Sequence, residues 1–246
     1  MQLLNSSDKV PCYTNKLLQN MSQATVARLC LRPVSLPAGC HLESPGSAVR
    51  QLVFPEAGVA CMTTTFEDGS QAEVGLYGYD SVIGLSTIMG SRYSLNRIYM
   101  QVAGHGFAAR LDEGRAEFLR GTEFQQLALA FLQSHSLHVA QTAGCNARHT
   151  VEQRLARWLL NCADRSRSMT ITISQEDLAT MIGVRRMSAV MGITHLKNLR
   201  LIDHRRGQLL ILDRQGLEDS SCECYRVVRD HLDSSNSVGR QHTAPS

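Results

Sequence analysis

The 246-residue sequence lacks the features that mark several large classes of protein. No apolar run approaches the roughly 20 residues that cross a bilayer, and no secretory signal is recognisable, so we expect a cytoplasmic protein without membrane contact. The eight cysteines are scattered and contain no Cys-x-x-Cys pair, which indicates reduced thiols. The net charge of +3 is small, so any binding to nucleic acid must depend on a local basic patch.

The motifs that carry enzyme chemistry are also missing. The sequence has no Gly-rich phosphate loop, no nucleophile elbow and no pair of metal-binding histidines within a helix turn of a glutamate. We therefore predict a protein that is not an enzyme, with no catalytic residues and no cofactor. The 43% content of hydrophobic residues is ample for packed cores, and the length allows one large or two modest domains.

A helix-turn-helix is predicted between Ser174 and Ile202. Ser174 can cap a first helix, whose first turn holds two acidic residues. Gly183 follows that helix, at a position where a left-handed residue commonly ends one. The apolar pattern then restarts and predicts a second helix at about 185–198. The start of this second helix is the part of the motif that meets base edges. The residues that face away from its core side are Met187, Val190, Met191 and Thr194.

A short β-hairpin is predicted directly after the second helix, because two apolar runs flank the basic turn His204–Gly207. A hairpin in this position, directly after the second helix, is the wing of a winged helix-turn-helix. Asp203 is the only acidic residue between positions 185 and 206, and the local excess of positive charge suits a polyanion. An ordinary helical hairpin with solvated charges is the alternative. The basic residues of this stretch are Arg185, Arg186, Lys197, Arg200, Arg205 and Arg206.

The whole chain divides into five regions. Residues 1–20 are polar and are expected to form a flexible arm. Short β-type runs alternate with turn signals over residues 21–118, which predicts an antiparallel sandwich, roll or barrel. A long helix over 119–149 carries two apolar stripes, one for its own domain and one for a second copy; burial inside a single domain is the alternative. The winged domain spans 150–232, and the Ser-rich segment 233–246 is expected to be disordered.

The long predicted helix contains two pairs of metal-ligand residue types. His135 and His138 are three residues apart, and Cys145 and His149 are four apart, so each pair shares a helix face. Two helical turns separate the pairs, which is too far for one site unless a second subunit contributes. We therefore expect polar residues on a dimer helix and no metal site.

Two further cysteines lie close together near the C-terminus. Cys222 and Cys224 fall within a last helix predicted over 216–232. Side chains two residues apart on a helix point in different directions. We therefore expect inert thiols, with a redox role as the alternative.

The order of these regions resembles the Crp/Fnr family, the cAMP receptor protein and FNR group of bacterial transcription factors. Residues 174–186, Ser-Gln-Glu-Asp-Leu-Ala-Thr-Met-Ile-Gly-Val-Arg-Arg, resemble the family's Thr-x-Glu-x-Leu-Ala-x-x-Leu-Gly-Val-x-Arg. Residues 54–59, Phe-Pro-Glu-Ala-Gly-Val, resemble its first hairpins. The segments that begin at Ala140, Val151 and Cys222 resemble one subfamily. The resemblance implies an α+β fold with a cyclic-nucleotide-binding-like antiparallel β-roll, a long dimerisation helix and a C-terminal winged helix-turn-helix.

The resemblance further implies a homodimer in which each subunit reads one half of a near-palindromic operator. The family's base-reading Arg position falls on Arg186, whereas Met187 and Met191 replace its Glu and its second Arg. Two methionines favour contact with thymine methyl groups, and Arg185 or Arg186 suits guanine. Gln175 matches a phosphate-contacting position. The predicted DNA-binding residues are Gln175, Arg185, Arg186, Met187, Ser188, Met191, Thr194, Lys197, Arg205 and Arg206, of which Lys197, Arg205 and Arg206 could equally be solvated surface residues.

The signal that the β-roll senses is left open. Cyclic-nucleotide members carry a Gly-Glu-Leu element and an Arg-Ser/Thr pair, but residues 84–86 here lack the carboxylate, and Arg97 is displaced by one residue, which turns a strand side chain to the other face. We therefore do not expect cAMP binding. An iron–sulfur cluster is not expected either, because Cys12, Cys30 and Cys40 are dispersed. The predicted pocket residues are Gly84, Leu85, Ser86, Asn96 and Arg97.

Three further possibilities concern partners. The irregular apolar segment 80–89 is expected to wall a cavity for an unknown small-molecule effector, or the cavity is vestigial and expression level sets activity. Family members also touch RNA polymerase once DNA is bound. The alternative function is a cyclic-nucleotide- or small-ligand-binding module without a DNA function, against which the basic winged C-terminus argues.

Overall fold

The structure is a computed structural model that describes residues 12–90 and 93–238, with side chains up to residue 232. None of the described helices has both the length and the hydropathy of a membrane span. A curved sheet forms the first half of the described chain, and helices with a small second sheet form the rest. In chain order the elements are α1 (Lys16–Gln19), α2 (Gln23–Arg28), β1 (Arg32–Leu36), β2 (His41–Glu43), β3 (Gln51–Thr65), β4 (Gln71–Tyr77), a 3-10 turn (Leu85–Thr87), β5 (Arg97–Arg110), α3 (Leu111–Leu119), α4 (Glu123–Arg148), α5 (Val151–Ser166), β6 (Thr170–Thr172), α6 (Gln175–Met181), α7 (Arg186–Asn198), β7 (Ile202–Arg205), β8 (Gln208–Ile211), α8 (Arg214–Ser220) and α9 (Glu223–Val238).

The first sheet is antiparallel, with strand order β1-β5-β3-β4, and β2 also pairs with β5. Pro55, Gly58 and Gly104 are residue types that act as turn signals in a sequence, but β3 and β5 each run through these residues. The residues mark irregularities in the register, where a strand bends without ending. Gly58 has φ of +87°, and a Cβ there would lie 2.6 Å from the carbonyl oxygen of Val102. These bends curl two long strands into the predicted roll.

The segment predicted as a flexible arm is packed over the part that the structure describes. Asn15 is fully buried, and its side-chain amide donates to the carbonyl oxygens of Pro55 at 3.0 Å and Ser81 at 2.9 Å. Leu17 and Leu18 are buried in the same core as α4. Residues 12–20 therefore belong to the roll, because one asparagine satisfies backbone groups that would otherwise be buried without partners. Residues 1–11 lie outside the described residues.

Helix α5 lies between the roll and the C-terminal domain. Val59 and Cys61 on one face of β3 share a hydrophobic core with Leu155, Trp158 and Leu159 of α5. Alternate residues of β3 face the interior of the roll instead. Helix α5 is consequently buried around most of its circumference, and even its arginines at 154, 157 and 165 are buried.

The C-terminal helix prediction is wrong in one respect. The sequence pattern predicts a single helix over 216–232, but the chain forms α8 and α9 with a break at Ser221 and Cys222. Helix α9 also continues to Val238, into the segment 233–246 that was expected to be disordered. The remaining residues, 239–246, lie outside the described part of the chain. The break matters because it removes Cys222 from the helix that holds Cys224.

Candidate nucleic-acid interface

The helix-turn-helix is formed by α6 and α7. The Ser174 hydroxyl accepts a hydrogen bond from the Asp177 backbone N–H at 3.0 Å and caps α6, as predicted. Gly183 has φ of +61°, and the N–H of the next residue, Val184, returns to the carbonyl of Ala179 at 2.9 Å. The guanidinium of Arg154 donates to the carbonyl oxygens of Ile182 and Gly183. An arginine from α5 thus satisfies the end of α6 and fixes the turn.

Helix α7 has two faces of opposite character. Ala189, Ile193 and Leu196 are buried in the core of the C-terminal domain. On the other side Met187 is 69% exposed and Met191 is 67% exposed, which is unusual for methionine side chains that could pack in a core. We call the exposed set the recognition face. It consists of Arg185, Arg186, Met187, Met191 and Thr194.

The wing follows α7 as predicted. Strands β7 and β8 pair around the two-residue turn Arg206-Gly207, whose φ angles of +49° and +76° suit the twist of a tight hairpin. Strand β6 adds to the other edge of β8. The wing therefore projects Arg206 into solvent.

The predicted phosphate-contacting residues differ in their surroundings. Asp203 lies 3.1 Å from Lys197 Nζ and 2.7 Å from Arg205 Nε. The hydrogen bond from Lys197 lowers the pKa of the Asp203 carboxyl, so both cations already have an anionic neighbour. Arg206 forms no ion pair with any described residue. Gln175 begins α6, and both Gln175 and Ser188 are half-buried.

The predicted ligand pocket corresponds to a cavity of about 140 Å³ inside the roll. Gly84, Leu85, Ser86 and Asn96 line it, together with residues of α4, whereas Arg97 is not among its lining residues. Arg97, which is displaced by one residue along β5, therefore does not contribute to the cavity. The volume is below the roughly 300 Å³ at which sites for drug-sized ligands begin.

A carboxylate that sequence reasoning missed also lines this cavity. Glu43, on β2, is buried, and it accepts a hydrogen bond of 2.5 Å from the Ser94 hydroxyl. Burial raises the pKa of Glu43, while hydrogen bonds from Ser94 and from the backbone N–H of Gly84 oppose that rise. No local motif signals this residue, because β2 and the segment after β4 are far apart in the chain.

The two histidines of α4 face the protein's own sheet. His135 stacks on Tyr77 with a centroid separation of 4.5 Å, and burial lowers the pKa of His135 to about 4. His138 is also buried, with Nδ1 3.3 Å from Arg165 Nη2. Burial depresses the pKa of His138 well below its usual value. Neither ring therefore belongs to the exposed side of the helix, where the sequence pattern had placed polar residues on a dimer surface.

A buried seam of charged side chains joins the sheet, α4 and α5. It consists of Glu73, His138, Arg157 and Arg165. Arg157 Nη1 donates to the Thr142 hydroxyl at 3.1 Å, but neither carboxylate oxygen of Glu73 has a hydrogen-bond partner among the described residues. Burial raises the pKa of Glu73 to about 7, against the opposing charges of Arg157 and Arg165. The seam was not predicted, since its members come from separate elements.

The four remaining metal-ligand residue types converge at the other end of α4. Cys145 and His149 meet Cys222 and Cys224, and their ligand atoms all lie within 4.8 Å of one another. Within the sequence Cys145 and His149 lie near His135 and His138, and Cys222 and Cys224 lie far along the chain. The sequence therefore predicts no metal site, because the approach of α9 to α4 is a tertiary contact.

Residues 153–220, which include α6, α7 and the wing, match a family model described as a Crp-like helix-turn-helix domain. A comparison with curated proteins finds no significant match. The fold of most of the chain matches many solved structures.

Three of these structures illustrate the likeness. FixK2 from Bradyrhizobium japonicum has a TM-score of 0.66 at 12% identity, covering 78% of this chain and 98% of that one. CLP, a c-di-GMP-responsive global regulator from Xanthomonas campestris, has a TM-score of 0.62 at 16% identity, covering 77% and 99%. TTHA1359, a CRP/FNR-family transcriptional regulator from Thermus thermophilus, has a TM-score of 0.63 at 18% identity, covering 77% and 98%.

At these identities the structural likeness shows the fold, and it confirms the predicted α+β architecture with its antiparallel roll and winged C-terminus. Several of the matched structures are described as transcriptional regulators. The chain thus combines the fold of these structures with a Crp-like helix-turn-helix domain over residues 153–220.

Proposed function

We propose that the protein acts as a homodimer that binds a near-palindromic operator and reads its sequence with α7. The observation that carries the proposal is the recognition face. The buried side of α7 holds the helix in place, while arginines and methionines on the other side are exposed to solvent. A helix presented in this way fits the major groove.

The recognition face has the chemistry of base readout. Arg186 begins α7 and is the residue we assign to a guanine, whose O6 and N7 atoms accept two hydrogen bonds from one guanidinium. Met187 and Met191 are assigned to thymine methyl groups. Arg206 is assigned to the phosphate backbone, because it is exposed and has no ion pair among the described residues. Lys197 and Arg205 are expected to contribute less to that contact, because both already form ion pairs with Asp203.

The exposed side of α4 supports the homodimer. Most side chains on this face are small, and a Cβ added at Gly144 would meet nothing within 4 Å. The spacing along the stripe alternates between three and four residues, which is the pattern of a two-stranded helix seam. A second copy of α4 could therefore approach closely. The stripe is Ala130, Gln133, Leu137, Ala140, Gly144 and Ala147.

The domain limits follow from this function. With residues 12–20 and the end of α9 added to the predicted limits, we assign residues 12–118 to a sensor roll, 119–149 to the dimerisation helix and 150–238 to DNA binding, in the cytoplasm where chromosomal DNA lies. Thr150, which caps α5 after the end of α4, stands at the boundary between the last two. Contact of the roll with RNA polymerase is part of the proposal for the DNA-bound dimer.

The effector is a separate question. CLP, one of the similar structures, is described as responsive to c-di-GMP, but the cavity of this chain is about 140 Å³ and Arg97 does not line it. We expect that cAMP does not raise the affinity for duplex DNA. Titrating cAMP into a fluorescence-anisotropy assay checks this, and a large cAMP-dependent gain would show that the cavity opens to admit a nucleotide.

Selection from a random duplex library tests the proposed function. Wild-type protein is expected to be dimeric by sedimentation and to enrich two inverted half-sites about one helical turn apart. A protein that is monomeric and enriches no duplex sequence would contradict the proposal. That outcome, together with binding of a small ligand in the roll, would instead support the alternative of a ligand-binding module.

A further inference from the structure

We infer that Cys145, His149, Cys222 and Cys224 bind one zinc ion that joins the C-terminal end of α4 to the start of α9. Three thiol sulfurs and one imidazole nitrogen form a donor set that is typical of structural zinc. All four ligand atoms lie within 4.8 Å of one another.

The distances suit a tetrahedral site. Cys145 Sγ and Cys222 Sγ are 3.5 Å apart, and Cys224 Sγ is 3.7 Å from His149 Nδ1. Zinc–sulfur bonds of about 2.3 Å place two sulfurs of a tetrahedron about 3.8 Å apart. These two pairs are already close to that separation, and the widest pair in the set, at no more than 4.8 Å, would need to close by at most about 1 Å around the ion.

The backbone presents the four ligands in two pairs. Cys145 lies in the last turn of α4, and His149 follows that helix, with its N–H bonded to the carbonyl of Cys145 at 3.0 Å. Cys222 precedes α9, and Cys224 is the second residue of that helix. Because Cys222 is outside the helix, the two sulfurs are free to point toward the same place.

The three thiol ligands are shielded from water. Cys145 is 0% exposed, Cys222 is 3% exposed and Cys224 is 4% exposed, while the His149 side chain is 17% exposed. With four protein ligands the site has no position for a substrate, so its role is structural.

An outer residue orients the imidazole. His149 Nδ1 faces Cys224, while His149 Nε2 lies 3.3 Å from a carboxylate oxygen of Glu223. A carboxylate on the far nitrogen of a zinc-bound histidine fixes its tautomer and ring orientation. Glu223 is therefore a positioning residue. Its side chain is 65% exposed, so it can be changed without disturbing a core.

The place of the site suggests what it does. Helix α4 carries the proposed dimer seam, and α9 belongs to the domain that holds the recognition face. A zinc ion between them would hold that domain at a set angle to the dimer axis. This consequence rests on the proposed function, whereas zinc binding itself does not.

The metal content of the full-length chain tests the site directly. Protein purified under reducing conditions without chelator is expected to contain one zinc per chain by mass spectrometry of metals. Cobalt(II) added to the zinc-depleted protein should give the intense thiolate-to-cobalt charge-transfer absorption of a Cys-rich tetrahedral site. Cys222→Ala and His149→Ala should abolish both signals, and Cys12→Ser, a change at an exposed thiol outside the cluster, should leave both unchanged.

Glu223→Gln provides a graded test that does not depend on the stability of a core variant. It should keep the fold and weaken zinc binding by about 10- to 100-fold in a competition with a chromophoric chelator. Folded wild-type protein with the three cluster thiols reduced but no bound metal would overturn the inference. So would a disulfide between Cys145 and Cys222 in the protein as purified, or a metal other than zinc in the four-residue site.

DNA binding is measured separately, so that the two proposals can fail independently. Zinc at one per chain with no DNA binding would support the site and contradict the proposed function. Selective DNA binding by a folded protein that holds no zinc would support the proposed function and contradict the zinc site.

Discussion

The recognition face and the buried seam are both rich in charge, yet the protein builds them in opposite ways. The recognition face comes from one short stretch of chain, 185–194, and it stands in solvent, where its arginines remain hydrated. The seam draws Glu73 from β4, His138 from α4, and Arg157 and Arg165 from α5, and it is withdrawn from water. Changes to the first should therefore alter binding with little effect on stability, and changes to the second should alter stability and its response to pH.

The largest expected effect separates the two sides of α7 itself. Leu196→Ala removes a fully buried side chain from the core and should lower the free energy of unfolding by about 2–5 kcal/mol. Met191→Ala, the matched change on the exposed side, should alter it by less than about 0.5 kcal/mol. Urea unfolding of both variants provides the measurement. Equal losses would show that the exposed side also packs against the protein.

The seam should make stability depend on pH. Glu73 has a pKa of about 7 in the folded protein, against roughly 4.3 when unfolded. Between these values the folded state holds a proton that the unfolded state has released. The stabilising contribution is complete below pH of about 4 and is lost as the pH rises to about 7, with a total on the order of 4 kcal/mol.

Glu73→Gln isolates this contribution, because the amide keeps the shape and does not titrate. The difference in unfolding free energy between wild type and Glu73→Gln should change across that pH window. As the pH rises, the unfolding free energy of the wild type should fall relative to that of the variant. Urea unfolding at a series of pH values checks the slope. Parallel pH profiles for the two proteins would mean that the Glu73 carboxyl titrates normally in the folded state.

A smaller effect concerns the phosphate backbone. Arg206→Ala should weaken binding to all duplexes and reduce the slope of log affinity against log salt concentration by about 1. Arg115→Ala makes the same charge change at an exposed site on α3 of the roll and should leave the slope unchanged. Anisotropy titrations at several salt concentrations compare them. An unchanged slope in Arg206→Ala would remove the wing tip from the interface.

The recognition face could be predicted from the sequence because its signals are local. Ser174 and Gly183 mark the ends of α6, and the apolar spacing of α7 distinguishes its two sides within one short segment. The wing is equally local, since its turn and both strands fit within ten residues. The full length of strand β3 was harder to predict, because Pro55 and Gly58 are turn residues in most contexts and here only bend the strand.

The seam, the Glu43 carboxylate and the cysteine cluster could not be predicted in the same way. Each depends on the approach of elements that are distant in the chain, and no spacing within one element records that approach. Arg157 and Arg165 lie on an amphipathic helix, where arginines normally face water, and only the packing of α5 against the sheet buries them. The sequence pattern placed Cys222 and Cys224 on one helix, because the break between α8 and α9 carries no clear local signal.

The most direct test of the central claim is the effect of Arg186→Ala on sequence selectivity. With the duplex enriched by the wild-type protein, the variant should lose about 1–3 kcal/mol of discrimination at one base pair of each half-site, because a guanidinium that pairs with guanine is gone. Dimerisation and unfolding free energy should stay unchanged, since Arg186 is exposed. If Arg186→Ala selects the same operator as wild type with undiminished preference at every position, α7 does not read the DNA as proposed.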